Sequence, residues 1–280
     1  MGSQEQTKNL PELQSEYALT SEQISDYQKN GHIYLKSVAE PSEIDVYHKA
    51  IDEEVQRLNN QTKPLHERDT YGKAFIQIGN LRRQSEIVKK FVVARRFAKI
   101  AADLMGVDGV RIFHDQALFK EPGGGHTPWH QDQIYWPLDT NNTITMWMPL
   151  VDISEEMGSM SFISGSHTSG DLSKELIAIS DESQSLFEDY IEKNNLEPIT
   201  YGAMAAGDAT FHAGWTLHYA PANPTDRMRK IMAIIYYADG TRVSEPESEG
   251  RKKNLEVCLP GLKPGDLAVT SVNQLAYSRK

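Results

Sequence analysis

Short β-rich runs dominate the chain after Gly106, and this sequence pattern constrains the fold more than any other feature. Glycine, proline, asparagine and aspartate residues separate the runs from one another. Short strands with frequent turn residues are typical of antiparallel barrels and sandwiches, whereas parallel strands need long crossover connections. The predicted strands cover 110–120, 144–153, 159–163, 207–213, 215–220 and 227–238.

Helical patterns fill the region before Gly106. Thr20 and Gln23 fit a capping box, which predicts a helix that ends at Gly31. The rest of this region is predicted as a strand over 32–38, a helix from Pro41 to Leu58, a loop over 59–73 and one helix over 85–105. Helices followed by many short strands predict an α+β fold, in which N-terminal helices buttress an antiparallel barrel or sandwich.

The domain organisation is predicted to be simple. Residues 1–17 are polar and indicate a flexible N-terminal arm, and residues 18–280 form a single domain. The exception is a helix-like segment, 169–199, with eight acidic residues and two lysines. We interpret it as an insertion on the barrel rim, which acts either as a lid or as a solvated surface excursion.

Composition excludes several classes of function. The formal net charge of −10 argues against nucleic-acid and anionic-membrane partners, because both need a positive surface. The single cysteine, Cys258, excludes an intrachain disulfide and a cysteine-rich zinc site. Without an apolar run long enough for a membrane span or an N-terminal signal, we expect a cytoplasmic protein with a small-molecule partner. The oligomeric state is left open.

A possible metal site begins at His130-Gln131-Asp132, the only His-x-Asp triplet in the chain. On a strand, residues i and i+2 point to the same face, so this imidazole and carboxylate would converge as two ligands of a metal ion. A second imidazole would complete a facial triad, which leaves three positions open on an octahedral iron. Both His218 and His212 lie on a later β-like run and could supply that imidazole.

Two arginines open the apolar run that follows these histidines. An arginine at the entrance of an apolar strand needs a carboxylate partner, and an organic dicarboxylate would supply one. Arg229 is the first candidate, and Arg227 competes for the same role. Trp147 lies between two methionines and is either a core residue or a wall of the site.

Together these motifs resemble the phytanoyl-CoA dioxygenase family, which comprises iron(II)- and 2-oxoglutarate-dependent oxygenases. The resemblance extends from about residue 20 to residue 238 and implies a double-stranded β-helix, the cupin-like jelly roll. The motifs that carry it are His130-Gln131-Asp132, Trp147, the run 158–167, Gly207-Asp208, His218 and Arg229.

The resemblance also implies roles for individual residues. His130, Asp132 and His218 would bind iron, and Arg229 would bind the distal carboxylate of 2-oxoglutarate. The other residues assigned to the cosubstrate are Trp147, Gln131 and Thr216. One departure from the family is the lack of a lysine near Phe75, for which Gln77 is the substitute.

The expected reaction is hydroxylation of an unactivated C–H bond of a small molecule, with O₂ consumed and succinate and CO₂ released. The carboxylate of Asp132 favours hydroxylation over halogenation, because related halogenases have a small residue there. Four aromatic residues near the ligands are either substrate contacts or packing: Trp129, Tyr135, Trp136 and Trp215. Two alternatives are a zinc or manganese hydrolase or isomerase on the same barrel, and a non-catalytic, metal-stabilised binding module. The sequence does not identify the substrate.

Overall fold

A computed structural model describes residues 10–174 and 178–279 of the protein. Its helices are α1 (Ser21–Asn30), α2 (Pro41–Leu58), α3 (Thr70–Ala74), α4 (Glu86–Val92), α5 (Arg95–Met105), α6 (Asp181–Lys193) and α7 (Glu249–Cys258). Its strands are β1 (His32–Leu35), β2 (Ile76–Gly79), β3 (Gly109–Lys120), β4 (Thr127–His130), β5 (Thr143–Pro149) and β6 (Ser161–Phe162). The later strands are β7 (Ile199–Thr200), β8 (Ala209–Ala213), β9 (His218–Ala220), β10 (Arg229–Ala238) and β11 (Leu275–Ser278).

The strands form two antiparallel sheets. The larger has the order β1-β8-β5-β10-β3-β11, and β2 also pairs with β3. The smaller has the order β4-β9-β6-β7. The prediction of a mixed helix and sheet fold with antiparallel strands is therefore confirmed. Within the described residues, no helix combines the length and the apolar character needed to cross a membrane.

Strand β10 shows how the larger sheet divides its two faces. Met232 and Ile234 pack with residues of α2, α4 and α5 in the largest core cluster. The alternate residues, Ile231 and Ala233, belong to a separate cluster on the opposite face. Because side chains alternate along a strand, Arg229 shares this second face, away from the helices.

Several predicted boundaries are wrong. The single helix over 85–105 is two helices, α4 and α5, because the chain breaks at Val93 and Ala94. The apolar pattern runs on across the break because both helices pack on the same core; the rings of Phe91 and Phe97 have centroids 5.1 Å apart. The strand over 32–38 stops at Leu35.

Three other predictions for irregular segments also need revision. The predicted strand over 215–220 starts only at His218, because a turn precedes it. The predicted loop over 59–73 contains a short 3₁₀ helix and the start of α3. Residues 1–9 of the predicted arm lie outside the described residues. In the remainder, Leu13 is buried and its carbonyl accepts a bond from Arg96 N, so residues 10–17 pack on the domain.

Candidate active site

Two histidines and an aspartate converge where β4 meets β9. His130 ends β4 and is the register partner of His218, the first residue of β9. Asp132 does not lie on the strand as predicted, but opens a 3₁₀ helix directly after it. Its Oδ1 lies 3.5 Å from His130 Nε2 and 3.8 Å from His218 Nε2. The possible ligand atoms of the three residues all lie within 4.8 Å of one another.

Backbone carbonyls orient both imidazoles. His130 Nδ1 lies 2.7 Å from Pro128 O, and His218 Nδ1 lies 2.9 Å from Thr216 O. A carbonyl can only accept, so each Nδ1 carries a proton, and in the neutral ring the lone pair is then on Nε2. Burial, together with the adjacent imidazoles of His130 and His212, lowers the pKa of His218 well below its usual value. The neutral imidazole is the form that binds metal.

The second oxygen of Asp132 is also held. Thr145 Oγ1 donates to Oδ2 over 3.0 Å, and His212 Nε2 lies 3.4 Å from the same oxygen. Burial would raise the pKa of Asp132, but the neighbouring imidazoles of His218, His130 and His212 lower it well below its usual value. The carboxylate of Asp132 therefore turns Oδ1 toward His130 and His218. Its Oδ2 faces a supporting pair, Thr145 and His212.

His212, the alternative ligand considered from the sequence, belongs to that support. It lies on β8, directly across from Thr145 on β5. The group whose ligand atoms converge contains His218 and not His212. His212 is 1% exposed, and neither ring nitrogen makes a hydrogen bond with a described residue.

Arg229 lies on the same interior face. Its side chain is 1% exposed, Nη1 donates to Gly158 O, and its guanidinium carbon lies 5.2 Å from the centre of the Trp147 ring. Among the described residues no carboxylate pairs with it, and its buried Nε has no partner. Burial lowers the pKa of Arg229 to about 9. Its competitor, Arg227, is exposed and donates to Asp152 O.

A cavity of about 210 Å³ joins these groups. The convergent triad, Arg229 and Trp147 all contribute to its lining. Three more residues singled out in the sequence also reach it: Gln77, Tyr135 and Trp136. Sequence reasoning missed His114 and Gln116, which alternate along β3 toward this cavity. The period of two in that strand was the signal that could have identified them.

The structure places four other predicted residues outside the cavity lining. Gln131 is fully buried, and its amide donates to Gly170 O and Trp215 O. Thr216 donates to Gly31 O over 2.8 Å. Both side chains donate to backbone carbonyls of turn residues. Gln131 and Thr216 therefore stabilise the backbone and do not contact the cavity.

The two remaining aromatic residues contact other parts of the chain. Trp129 is buried and stacks on Tyr219, with ring centroids 5.2 Å apart. Trp215 donates from Nε1 to Asn141 Oδ1 over 3.0 Å. Neither lines the cavity, so the prediction of substrate contacts is not supported for them.

The sequence profile of the phytanoyl-CoA dioxygenase family (PhyH) matches residues 27–231. The chain belongs to this family. Membership confirms the resemblance found in the sequence and makes the protein an iron- and 2-oxoglutarate-dependent dioxygenase. The hydrolase, isomerase and non-catalytic alternatives lose their support.

The chain is also similar to individual proteins in sequence and to solved structures in fold. The chain is 24% identical over 244 residues to a 2-aminoethylphosphonate dioxygenase from the uncultured bacterium HF130_AEPn_1; the match covers 81% of this chain and 84% of that protein. The crystal structure of the α-ketoglutarate-dependent carbocyclase SnoK of nogalamycin biosynthesis has a TM-score of 0.74 and 22% identity, over 92% of this chain and 96% of that one. The epimerase SnoN, solved with Fe³⁺, α-ketoglutarate and nogalamycin RO, has a TM-score of 0.72 and 22% identity, over 91% of this chain and 97% of that one.

Proposed function

We propose that this dioxygenase holds iron(II) with His130, Asp132 and His218, and 2-oxoglutarate against Arg229, and that it hydroxylates a small molecule. The donor set fits the metal, because two neutral imidazoles and one carboxylate form the facial set of non-haem iron oxygenases. Bound there, the metal supplies oxygen activation coupled to decarboxylation of 2-oxoglutarate, which releases succinate and CO₂.

The unpaired guanidinium of Arg229 carries this proposal. A buried arginine without a carboxylate is costly, and nothing among the described residues neutralises it. A dicarboxylate that reaches from the metal ligands to Arg229 removes this cost through a bidentate ion pair. A hydrolase on the same barrel would have no use for such a group.

Other residues would orient the cosubstrate and exclude water. Trp147 lies beside Arg229 and would cover one side of the cosubstrate. Gln77, at the position of the missing family lysine, reaches the cavity but is exposed, so Arg229 carries most of the charge recognition. Thr145 donates to Oδ2 of Asp132, and His212 Nε2 lies 3.4 Å from the same oxygen, so Oδ1 is the oxygen that faces His130 and His218 and would bind the metal.

We also propose that the two sheets form a double-stranded β-helix and that the segment 169–199 acts as a lid. The smaller sheet and the larger sheet both contribute residues to the cavity lining, which fits the two halves of a double-stranded β-helix. Around α6, Ile179 N donates to Tyr135 Oη over 2.7 Å, and Gln184 Oε1 accepts from Trp129 N over 3.0 Å. Ile179 also lines the cavity, which favours a lid over a solvated excursion.

The test compares Arg229→Met with Arg227→Met, because both variants remove a guanidinium from the same segment. Anaerobic iron(II) and 2-oxoglutarate should give the wild type a weak visible charge-transfer band. Arg229→Met should weaken 2-oxoglutarate binding about 100-fold, as expected when one member of a buried ion pair is removed, whereas Arg227→Met should not change it. Equal affinity in the two variants, or no band in the wild type, would disprove the proposal.

A further inference from the structure

We propose that the cavity binds a neutral, ring-containing substrate, and that Gln116 is a specificity residue for it. This inference rests on the proposed function, because it assigns Arg229 to 2-oxoglutarate and the triad to iron. It separates this chain from its relative named for 2-aminoethylphosphonate, a molecule that carries an anionic phosphonate group.

The charges around the cavity provide the first argument. Apart from histidines, the described lining residues include two ionisable groups that are charged at neutral pH, Asp132 and Arg229. Both are engaged once iron and 2-oxoglutarate are bound. His114 cannot act as a cation at neutral pH, since burial lowers its pKa to about 4.

An anionic substrate would therefore enter without a partner. Proteins bind phosphate and phosphonate groups with arginine, lysine or clustered backbone N–H donors, because the desolvation of the anion must be compensated. The segment 169–199, from which Ile179 lines the cavity, is strongly acidic in sequence and would repel such a substrate further. A CoA thioester is disfavoured for the same reason.

A chain of neutral polar groups runs along one wall of the cavity. Tyr71 donates from its hydroxyl to Gln77 Oε1 over 2.7 Å, and Gln77 Nε2 donates to Gln116 Oε1 over 2.5 Å. No described residue accepts from the amide nitrogen of Gln116, which lines the cavity. Each member fixes the orientation of the next, so Gln116 presents N–H donors to the interior. A carbonyl or hydroxyl oxygen of a neutral substrate is the complementary group.

The other walls are broad and apolar. Phe75, Trp136 and Met160 line the cavity together with Tyr135 and Ile179. Tyr135 uses its hydroxyl to accept from Ile179 N, which leaves its ring as the exposed feature. Aromatic walls with few fixed polar groups bind flat or alicyclic rings, because ring faces bury large areas without unpaired polar atoms.

The first experiment compares two bicyclic probes on the anaerobic enzyme loaded with iron(II) and 2-oxoglutarate. Calorimetry should show α-tetralone, a neutral ketone, binding at least about tenfold more tightly than 1-naphthylphosphonate. Equal or tighter binding of the phosphonate, or no heat from α-tetralone at millimolar concentration, would overturn the proposal. Succinate release above background with 2-aminoethylphosphonate would also overturn it.

The second experiment changes Gln116 itself. Gln116→Leu should weaken α-tetralone binding several-fold because it removes the donors, and Gln116→Arg should reverse the preference toward 1-naphthylphosphonate because it adds a cation. Unchanged selectivity in both variants would show that Gln116 does not determine specificity. The charge-transfer band with 2-oxoglutarate is recorded on the same samples, so a failure of the proposed function is visible separately.

Discussion

The imidazole of His212 lies beside the carboxylate of Asp132, with 3.4 Å between His212 Nε2 and Asp132 Oδ2. Because Oδ1 of the same carboxylate faces His130 and His218, His212 acts on the oxygen that is turned away from the proposed metal. Groups that orient a metal-binding carboxylate in this way change metal affinity even though they are not ligands.

We therefore expect His212→Gln to weaken iron(II) binding about 10- to 100-fold. His48→Gln is the matched control, because this partly buried histidine lies on α2, distant from the triad in the fold. Dissociation constants for iron(II), measured by anaerobic titration, give the comparison without relying on turnover. A folded His212→Gln protein with wild-type metal affinity would rule out this positioning role.

Strand periodicity and the family resemblance were sufficient to identify the residues that the structure brings together. The pairing of β4 with β9 places His130 opposite His218, and alternation along β10 places Arg229 on the interior face. Alternation along β10 is local spacing and is readable from sequence, whereas the β4–β9 pairing joins distant segments and could be expected only from the family resemblance.

Residue spacing did not predict the role of a side chain that hydrogen-bonds the backbone of a distant segment. Gln131 lies between two of the converging residues, yet its amide bonds to Gly170 and Trp215 carbonyls. His212 and His218 occur in one run of the sequence, and only their placement in different sheets, on β8 and β9, distinguishes the supporting histidine from the converging one. The break between α4 and α5 was hidden because both helices bury the same apolar pattern. Each of these outcomes is set by tertiary contacts rather than by local preference.

The backbone of Gly158 contacts the guanidinium of Arg229 and restricts its position. Its carbonyl accepts from Arg229 Nη1, its φ is +87°, and an added Cβ would lie 2.6 Å from Pro221 O and 3.2 Å from Arg229 Nη1. Gly158→Ala should lower the free energy of unfolding by about 1–3 kcal/mol through backbone strain and should weaken 2-oxoglutarate binding by moving the guanidinium.

Gly240→Ala is the control that separates the loss of stability from the loss of 2-oxoglutarate binding. Gly240 has nearly the same φ, +88°, but no atom of the described residues lies within 4 Å of an added Cβ. Denaturant melts and 2-oxoglutarate titrations should show a stability loss of about 1 kcal/mol with unchanged cosubstrate affinity. If both variants bind 2-oxoglutarate equally well, Gly158 does not position Arg229.

Lys120 gives the protein a distinct dependence of stability on pH. It is buried at the end of β3 and donates to Gly125 O, and burial, with a smaller effect of nearby Arg229, lowers its pKa from 10.5 to about 6. Between these pH values the unfolded chain binds a proton that the folded chain does not. Stability therefore rises with pH across this window, by about 1.4 kcal/mol per pH unit from this one group.

Lys120→Met should remove this contribution. The difference in free energy of unfolding between variant and wild type should favour the variant most at pH 6 and should shrink steadily toward pH 10. Urea melts across this range, without 2-oxoglutarate, measure it, and Lys36→Met provides the control at an exposed lysine. A difference that stays constant with pH would mean that Lys120 is charged in the folded protein.

Substitution of two threonines would show whether each buried hydroxyl stabilises the backbone or supports the candidate active site. Thr216 Oγ1 donates to Gly31 O, which also accepts from Ala213 N, whereas Thr145 Oγ1 donates to Asp132 Oδ2. Thr216→Val should lower the free energy of unfolding by about 1 kcal/mol, since one accepted bond remains, and should leave metal and 2-oxoglutarate affinities within about twofold. Thr145→Val makes the same chemical change but should weaken iron(II) binding, because Oδ2 of Asp132 loses its donor. A change in 2-oxoglutarate affinity in Thr216→Val, at unchanged metal affinity, would return Thr216 to the cosubstrate site that the sequence predicted.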